Sequence, residues 1–186
     1  MMPGGHLATA LSLGAATYYT TGSTEAATGA FAGGFLIDVD HYLDYLVCEK
    51  QWRRPWPTSF LRYYFMNCLK RVVLPLHSAE LMLVLLVVIF IHPWPLLVGY
   101  WVGAAMHLLF DIVVNGDYGL KNPVLFYIFS YRAFHRFAAE KLIKDVGVSP
   151  EAGKHPVRDF FVRWRPIVEE DRNTESSTSA LPEGEG

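Results

Sequence analysis

Between residues 81 and 114 the chain is made of two strongly apolar runs, LMLVLLVVIFI and LLVGYWVGAAMHLLFDIVV, parted only by His92-Pro93-Trp94-Pro95. Segments this apolar must satisfy their backbone groups internally, which favours helix, and proline cannot continue the donor ladder of the first run into the second. The pair therefore reads as a helical hairpin. Two weaker segments precede it. Residues 6–21 are rich in Ala, Thr and Gly, and residues 26–47 begin with Gly29, Gly33 and Gly34 and end in FLIDVDHYLDYLV. The Gly29/Gly33 pair predicts close contact with the 6–21 segment. Spanning the hydrocarbon takes about 20 helical residues. Residues 6–21, 26–47, 72–91 and 96–114 thus predict an all-α fold, a polytopic membrane helical bundle of about four transmembrane helices with further interfacial helices. Composition agrees, being 52% hydrophobic and 15% aromatic with a mean hydropathy of +0.20, more apolar than a soluble core of this length requires.

Ionisable residues interrupt this apolar material in three helix-spaced sets: Asp38/Asp40/His41, His77/Glu80 and His107/Asp111. Such groups at membrane depth are costly unless they face one another, a cavity or an ion. Four alternating spans place the start of the first segment, the end of the second, the start of the third and the end of the fourth on one side. All three sets, with His6, gather there. The linker on that side carries Lys50, Arg53, Arg54, Arg62, Lys70 and Arg71, and the C-terminal region adds Lys121, Arg132, Arg136, Lys141 and Lys144, whereas the opposite connections near residues 21–25 and 92–95 have no Lys or Arg. The positive-inside rule puts the site and both termini in the cytoplasm, in a cell (inner) membrane. No basic region precedes the first apolar segment, so a secretory signal is not expected.

The remaining segments read as peripheral. Residues 52–71 interleave tryptophan and tyrosine with arginine, the composition of a segment at the lipid interface, and residues 122–145 read as one more helix with an aromatic face. Beside four spans this basic-aromatic mixture suits lipid headgroups, and no nucleic acid is expected. Residues 1–145 thus form a membrane-embedded helical domain, 146–168 a peripheral extension and 169–186 a polar, disordered tail. Cys48 and Cys68 lack metal-type spacing and support neither a disulfide framework nor a thiolate site.

His107 and Asp111 are i, i+4 and His77 and Glu80 are i, i+3, so each pair shares a helical face. Asp38 and His41 share one too, but Asp40 points about 160° from Asp38 on a regular helix. Either the helix loosens there or only some of these residues are ligands. Each set also has an ordinary structural reading, as a hydrogen-bonded pair, a polar first turn or a charged span terminus; His6 reads equally as a solvated terminal histidine. Their convergence on one face favours a metal centre of His6, Asp38, His41, His77, His107 and Asp111. Mixed imidazole and carboxylate donors suit a divalent ion, zinc first, with manganese or iron as the alternatives.

His6 opening a small-residue helix, GGFLIDVDH at 33–41, His77-Ser78 opening the third span and Gly103-x-x-x-His107-x-x-x-Asp111 together resemble the membrane-bound, metal-dependent hydrolases that include a LexA-regulated bacterial inner-membrane protein. The resemblance covers about residues 1–115. That family commonly has proline before its DxDH, where Ile37 stands here, and His-Arg-Gly before its His-Ser, where this chain has VVLPLHS. Its His/Asp pattern is similar to that of zinc-dependent phospholipase C, which implies an all-helical metal site acting on phosphoesters. The expectation is a hydrolase of lipid or lipid-linked phosphoesters, its nucleophile a water activated by the ion, with Glu80 or Asp40 as general base or a further ligand. The alternative is a non-catalytic membrane protein that binds metal or translocates ions through the same ligands. The lipid bilayer is the expected partner; the sequence does not specify an oligomeric state.

Overall fold

The structure, a computed structural model, describes residues 3–66, 68–115, 119–144 and 154–162, so the polar tail from Glu169 lies outside the described residues. Those residues are helical with no strands; the only extended pairings among them are isolated bridges, Arg71 with Ala138 and Leu120 with Ile143. α1 (Pro3–Thr21) ends at Gly22, whose φ of 67° is the left-handed conformation glycine adopts without strain, and Ser23 then caps α2 (Thr24–Phe35) by accepting from Ala26 N. α5 (Ala79–Ile91) stops before His92-Pro93, and α6 (Pro95–Asn115) starts at Pro95. The Trp101 indole donates to Met82 O at 2.9 Å and ties the two helices together.

The closest helix contact joins α2 to α6 rather than to α1. A Cβ built on Gly29 or Gly33 would lie 2.0 Å from Leu96 O or Tyr100 O, and one on Gly99 or Gly103 would lie 2.0 or 2.1 Å from Ala26 O or Ala30 O. Two Gly-x-x-x-Gly faces therefore interlock, each filling the space that the other's missing side chains leave. This corrects the expected partner of Gly29/Gly33. α1 packs on the adjacent face of α2, where a Cβ on Gly34 would meet Ala10 Cβ at 2.9 Å.

Three expected helices take other forms. Beyond α2 the 26–47 segment rewinds: a 3-10 turn (Leu36–Asp38) leads into α3 (Val39–Leu43) and then a π-helical turn (Asp44–Cys48). In the 72–91 segment only α5 is helical, because backbone amides at 73, 74, 76 and 77 bind carboxylates instead of helical carbonyls. Residues 122–145 divide into α7 (Pro123–Phe126), α8 (Phe129–Phe134) and α9 (Ala139–Leu142), with Arg136 and Phe137 at φ of 56° and 57° breaking the run. α4 (Pro57–Phe65) falls within the 52–71 segment, and α10 (Pro156–Val162) packs back on α4 and α1.

Among the described residues α6 alone is long and apolar enough to cross a membrane, over Pro95–Val114. α5 has 13 residues, about 20 Å of helix at 1.5 Å per residue. Four complete spans are therefore not what these helices present. Their outward faces are nevertheless apolar, with Leu83, Val84, Val87, Phe90 and Ile91 of α5 and Leu109 and Val113 of α6 all exposed.

Candidate metal centre

Four helix ends meet where the glycine faces bring α2 and α6 together, and the side chains they deliver converge through their inner atoms. His77 Nε2 lies 3.1 Å from His107 Nε2. Asp38 Oδ1 is 3.4 Å from each of these nitrogens, and Asp111 Oδ2 is 3.3 Å from His107 Nε2 and 3.7 Å from His77 Nε2. His6 joins from α1 with Nε2 3.0 Å from Asp111 Oδ1, its ring stacked on His107 at 3.7 Å between centroids. His41 Nε2 approaches Asp38 Oδ1 at 3.7 Å. His6, His77, His107 and Asp111 are buried, whereas Asp38 and His41 are partly open.

Partners on the far side of two rings set their tautomers. His77 Nδ1 is 3.0 Å from both oxygens of Asp40, which as a carboxylate only accepts, and His107 Nδ1 is 2.9 Å from Gly34 O. Both Nδ1 atoms therefore carry hydrogen, and in the neutral rings both Nε2 lone pairs point inward, as the outer partners of metal-ligating histidines arrange. Two lone pairs 3.1 Å apart with two carboxylate oxygens beside them repel unless a proton or a metal ion lies among them. Tetrahedral ligands at the usual zinc distances stand about 3.3 Å from one another. The five separations given above for His77, His107, Asp38 and Asp111 run from 3.1 to 3.7 Å. The donor set fits a divalent ion of zinc's size, and it draws on two groups whose atoms lie close enough to hold one, His6/His107/Asp111 and Asp38/His41/His77.

The rewound segment reconciles Asp38 with Asp40. Asp38 reaches the Nε2 side of His77 and Asp40 the Nδ1 side, so the two grip one imidazole from opposite edges. Asp40 also accepts from Leu76 N at 3.0 Å and His77 N at 3.3 Å, while Asp44 accepts from Val73 N at 2.6 Å and Leu74 N at 3.1 Å. These two carboxylates, one turn apart, hold the loop that carries His77. From the other side the buried Arg132 guanidinium donates through Nη2 to Leu74 O and His77 O, both at 3.0 Å, with the Phe126 and Phe129 rings against it.

Glu80 does not face the centre. Its carboxylate accepts from Phe129 N, Ser130 N, Ser130 Oγ and Ser78 Oγ at 2.7 to 3.1 Å, anchoring the start of α8. Glu80 and Asp40, expected as bases, are thus an anchor and an orienting carboxylate. Asp38 instead turns a buried Oδ2 that has no hydrogen-bond partner. Sequence reasoning passed over Asp44, Arg132, Tyr64 and Tyr127. Asp44 was visible as the i+4 neighbour of Asp40. Arg132 was read as a headgroup-facing cation, since its aromatic neighbours suit an interface and a buried cation–π site equally.

A cavity of about 320 Å³ opens onto the centre, with Asp38, His41, His77 and Asp111 in its wall and aliphatic and aromatic side chains around the rest. Tyr64 and Tyr127 line it as well. Burial first, and then the nearby aspartates, push both phenols above their ordinary range, so both stay protonated and able to donate. No family model, curated protein or solved structure matches the chain.

Proposed function

We propose that this protein is a membrane-bound, metal-dependent hydrolase that cleaves phosphoester bonds of lipid or lipid-linked substrates at the cytoplasmic face of the inner membrane. The observation that carries the reading is the pair of Nδ1-tethered imidazoles whose Nε2 atoms face each other at 3.1 Å between Asp38 and Asp111. His77, His107, Asp38 and Asp111 would hold the ion, zinc by the chemistry of the donors, with His6 and His41 flanking it. When bound, the ion supplies Lewis acidity and favours ionisation of water at neutral pH. Asp38 and His41, the two members of the cluster that are partly open, stand in the cavity wall and are placed to take the proton of an attacking water. The water oxygen bonds to phosphorus, the bond from phosphorus to the alcohol oxygen breaks, and the alcohol leaves with the proton taken from the water. Tyr64 and Tyr127 are the uncharged donors for oxygens on which charge develops. Asp40, Asp44 and Arg132 hold His77 in register.

Insertion in the bilayer is supported by the outward apolar faces of α5 and α6 and by the one-sided distribution of lysine and arginine. In this reading the multi-pass arrangement combines α6 with shorter, partly embedded helices. Elemental analysis of purified protein, with turnover of a phosphodiester before and after chelation, tests the proposal. A protein with bound metal and no turnover across phosphoesters, carboxylic esters and amides would be the non-catalytic metal-binding alternative. A protein without metal, its histidines protonated, would have a structural salt-bridge cluster.

A further inference from the structure

Resting on that reading, we infer that the cavity beside the centre takes the single apolar chain of a one-chain amphiphile, whose head carries a diester rather than a doubly charged phosphomonoester. The volume of about 320 Å³ stands at the lower end of ligand pockets, enough for one chain segment and too little for the two tails of a diacyl lipid. Its wall is asymmetric. The carboxylates and imidazoles of the centre lie together, while Leu36, Val39, Leu61, Leu120 and Phe126 are among the side chains that make the remainder apolar. A chain laid against these residues leaves its polar head at Asp38 and His77, where the bond to be cut must sit.

Charge narrows the head. Among the described residues no lysine or arginine lines the cavity, and the other hydrogen-bonding side chains there are the neutral Tyr64 and Tyr127. A phosphomonoester dianion beside Asp38 and Asp111 would be neutralised by the ion alone, whereas a diester brings one negative charge and an ester or amide none. The wall formed by α4 also fits a lipid source. α4 supplies Phe60, Leu61 and Tyr64 to the wall, and exposed Trp52 and Trp56 precede it, side chains that settle at the headgroup level.

The test is photolabelling of the full-length, metal-loaded protein in nanodiscs, with a lysophosphatidylcholine carrying a diazirine at its chain end. Peptides containing Leu61, Leu120 or Phe126 should be labelled. Leu61→Trp and, separately, Leu120→Phe fill the cavity, and overpacking of this kind should lower that labelling about tenfold. Bound metal at the wild-type level certifies that a variant retains the centre. A diazirine-bearing diacyl phosphatidylcholine should label the cavity peptides about tenfold less than the one-chain probe. Label confined to the outward residues Val84, Val87 and Phe90, or cavity label unaffected by both substitutions, overturns the inference. Cavity labelling without hydrolysis of any substrate removes the hydrolase reading and keeps the chain site; hydrolysis of a small soluble diester without cavity labelling does the reverse.

Discussion

Gly103→Ala tests whether the glycine faces build the metal centre or merely join two helices. The added Cβ would lie 2.1 Å from Ala30 O, and a carbon–oxygen contact settles at no less than about 3.3 Å, so α2 and α6 must separate by about 1.2 Å at that turn. One turn further along the same interface, His107 Nδ1 donates to Gly34 O at 2.9 Å. Carrying over even half of that separation stretches the bond past useful length and frees the His107 tautomer. Losing such an outer partner costs roughly 10- to 100-fold in metal affinity, about 1.4–2.7 kcal/mol, and the strain itself costs roughly 1–3 kcal/mol of stability. Competition with a zinc chelator measures the first quantity and thermal unfolding of the apo protein the second. Gly14→Ala is the control, since its Cβ would meet Ala27 O at 3.3 Å and needs almost no displacement. A Gly103→Ala protein that is destabilised but binds zinc as tightly as wild type would refute the coupling between packing and site.

His77→Ala and His107→Ala should each lower bound metal to a similar extent by elemental analysis, and full occupancy of the double variant would leave only a structural pair. Glu80→Gln should keep metal and turnover while lowering the unfolding temperature, because an amide is a weaker acceptor for the α8 amides, at about 1–3 kcal/mol; a rate loss of roughly 10²-fold or more with metal retained would return Glu80 to the base role. Arg132→Met should weaken metal binding without touching the ion, since the carbonyls of Leu74 and His77 lose their shared donor; unchanged affinity would show that Asp40 and Asp44 hold the loop alone. With Cys48 and Cys68 removed, a cysteine at Arg62 should resist impermeant reagents in intact cells while one at Glu25 reacts, and outside labelling at Arg62 would overturn the cytoplasmic placement.

The apolar periodicity and the His92-Pro93 break were enough to place α5 and α6, because both are local properties of the chain. What periodicity misses is a carboxylate that outcompetes the helix. Residues 73–77 belong to an apolar segment, yet Pro75 has no amide to donate and the amides of Val73, Leu74, Leu76 and His77 bind Asp44 and Asp40, 29 to 37 residues distant in sequence, so the third segment starts its helix only at Ala79. The same long-range bonds separate the roles of residues that look alike in the sequence. Asp38 and Asp40 flank one valine, and helix geometry sets them on opposite faces; only the loop threaded between α3 and α8 reveals that both faces meet the same imidazole, one at Nε2 and one at Nδ1. Glu80 and His77 carried the spacing of a ligand pair, but Ser78 caps α5 between them, leaving His77 in the loop before the helix and Glu80 inside its first turn. Spacing along a helix predicts a shared face only while the helix continues, and here the His/Asp cluster lies where the helices end.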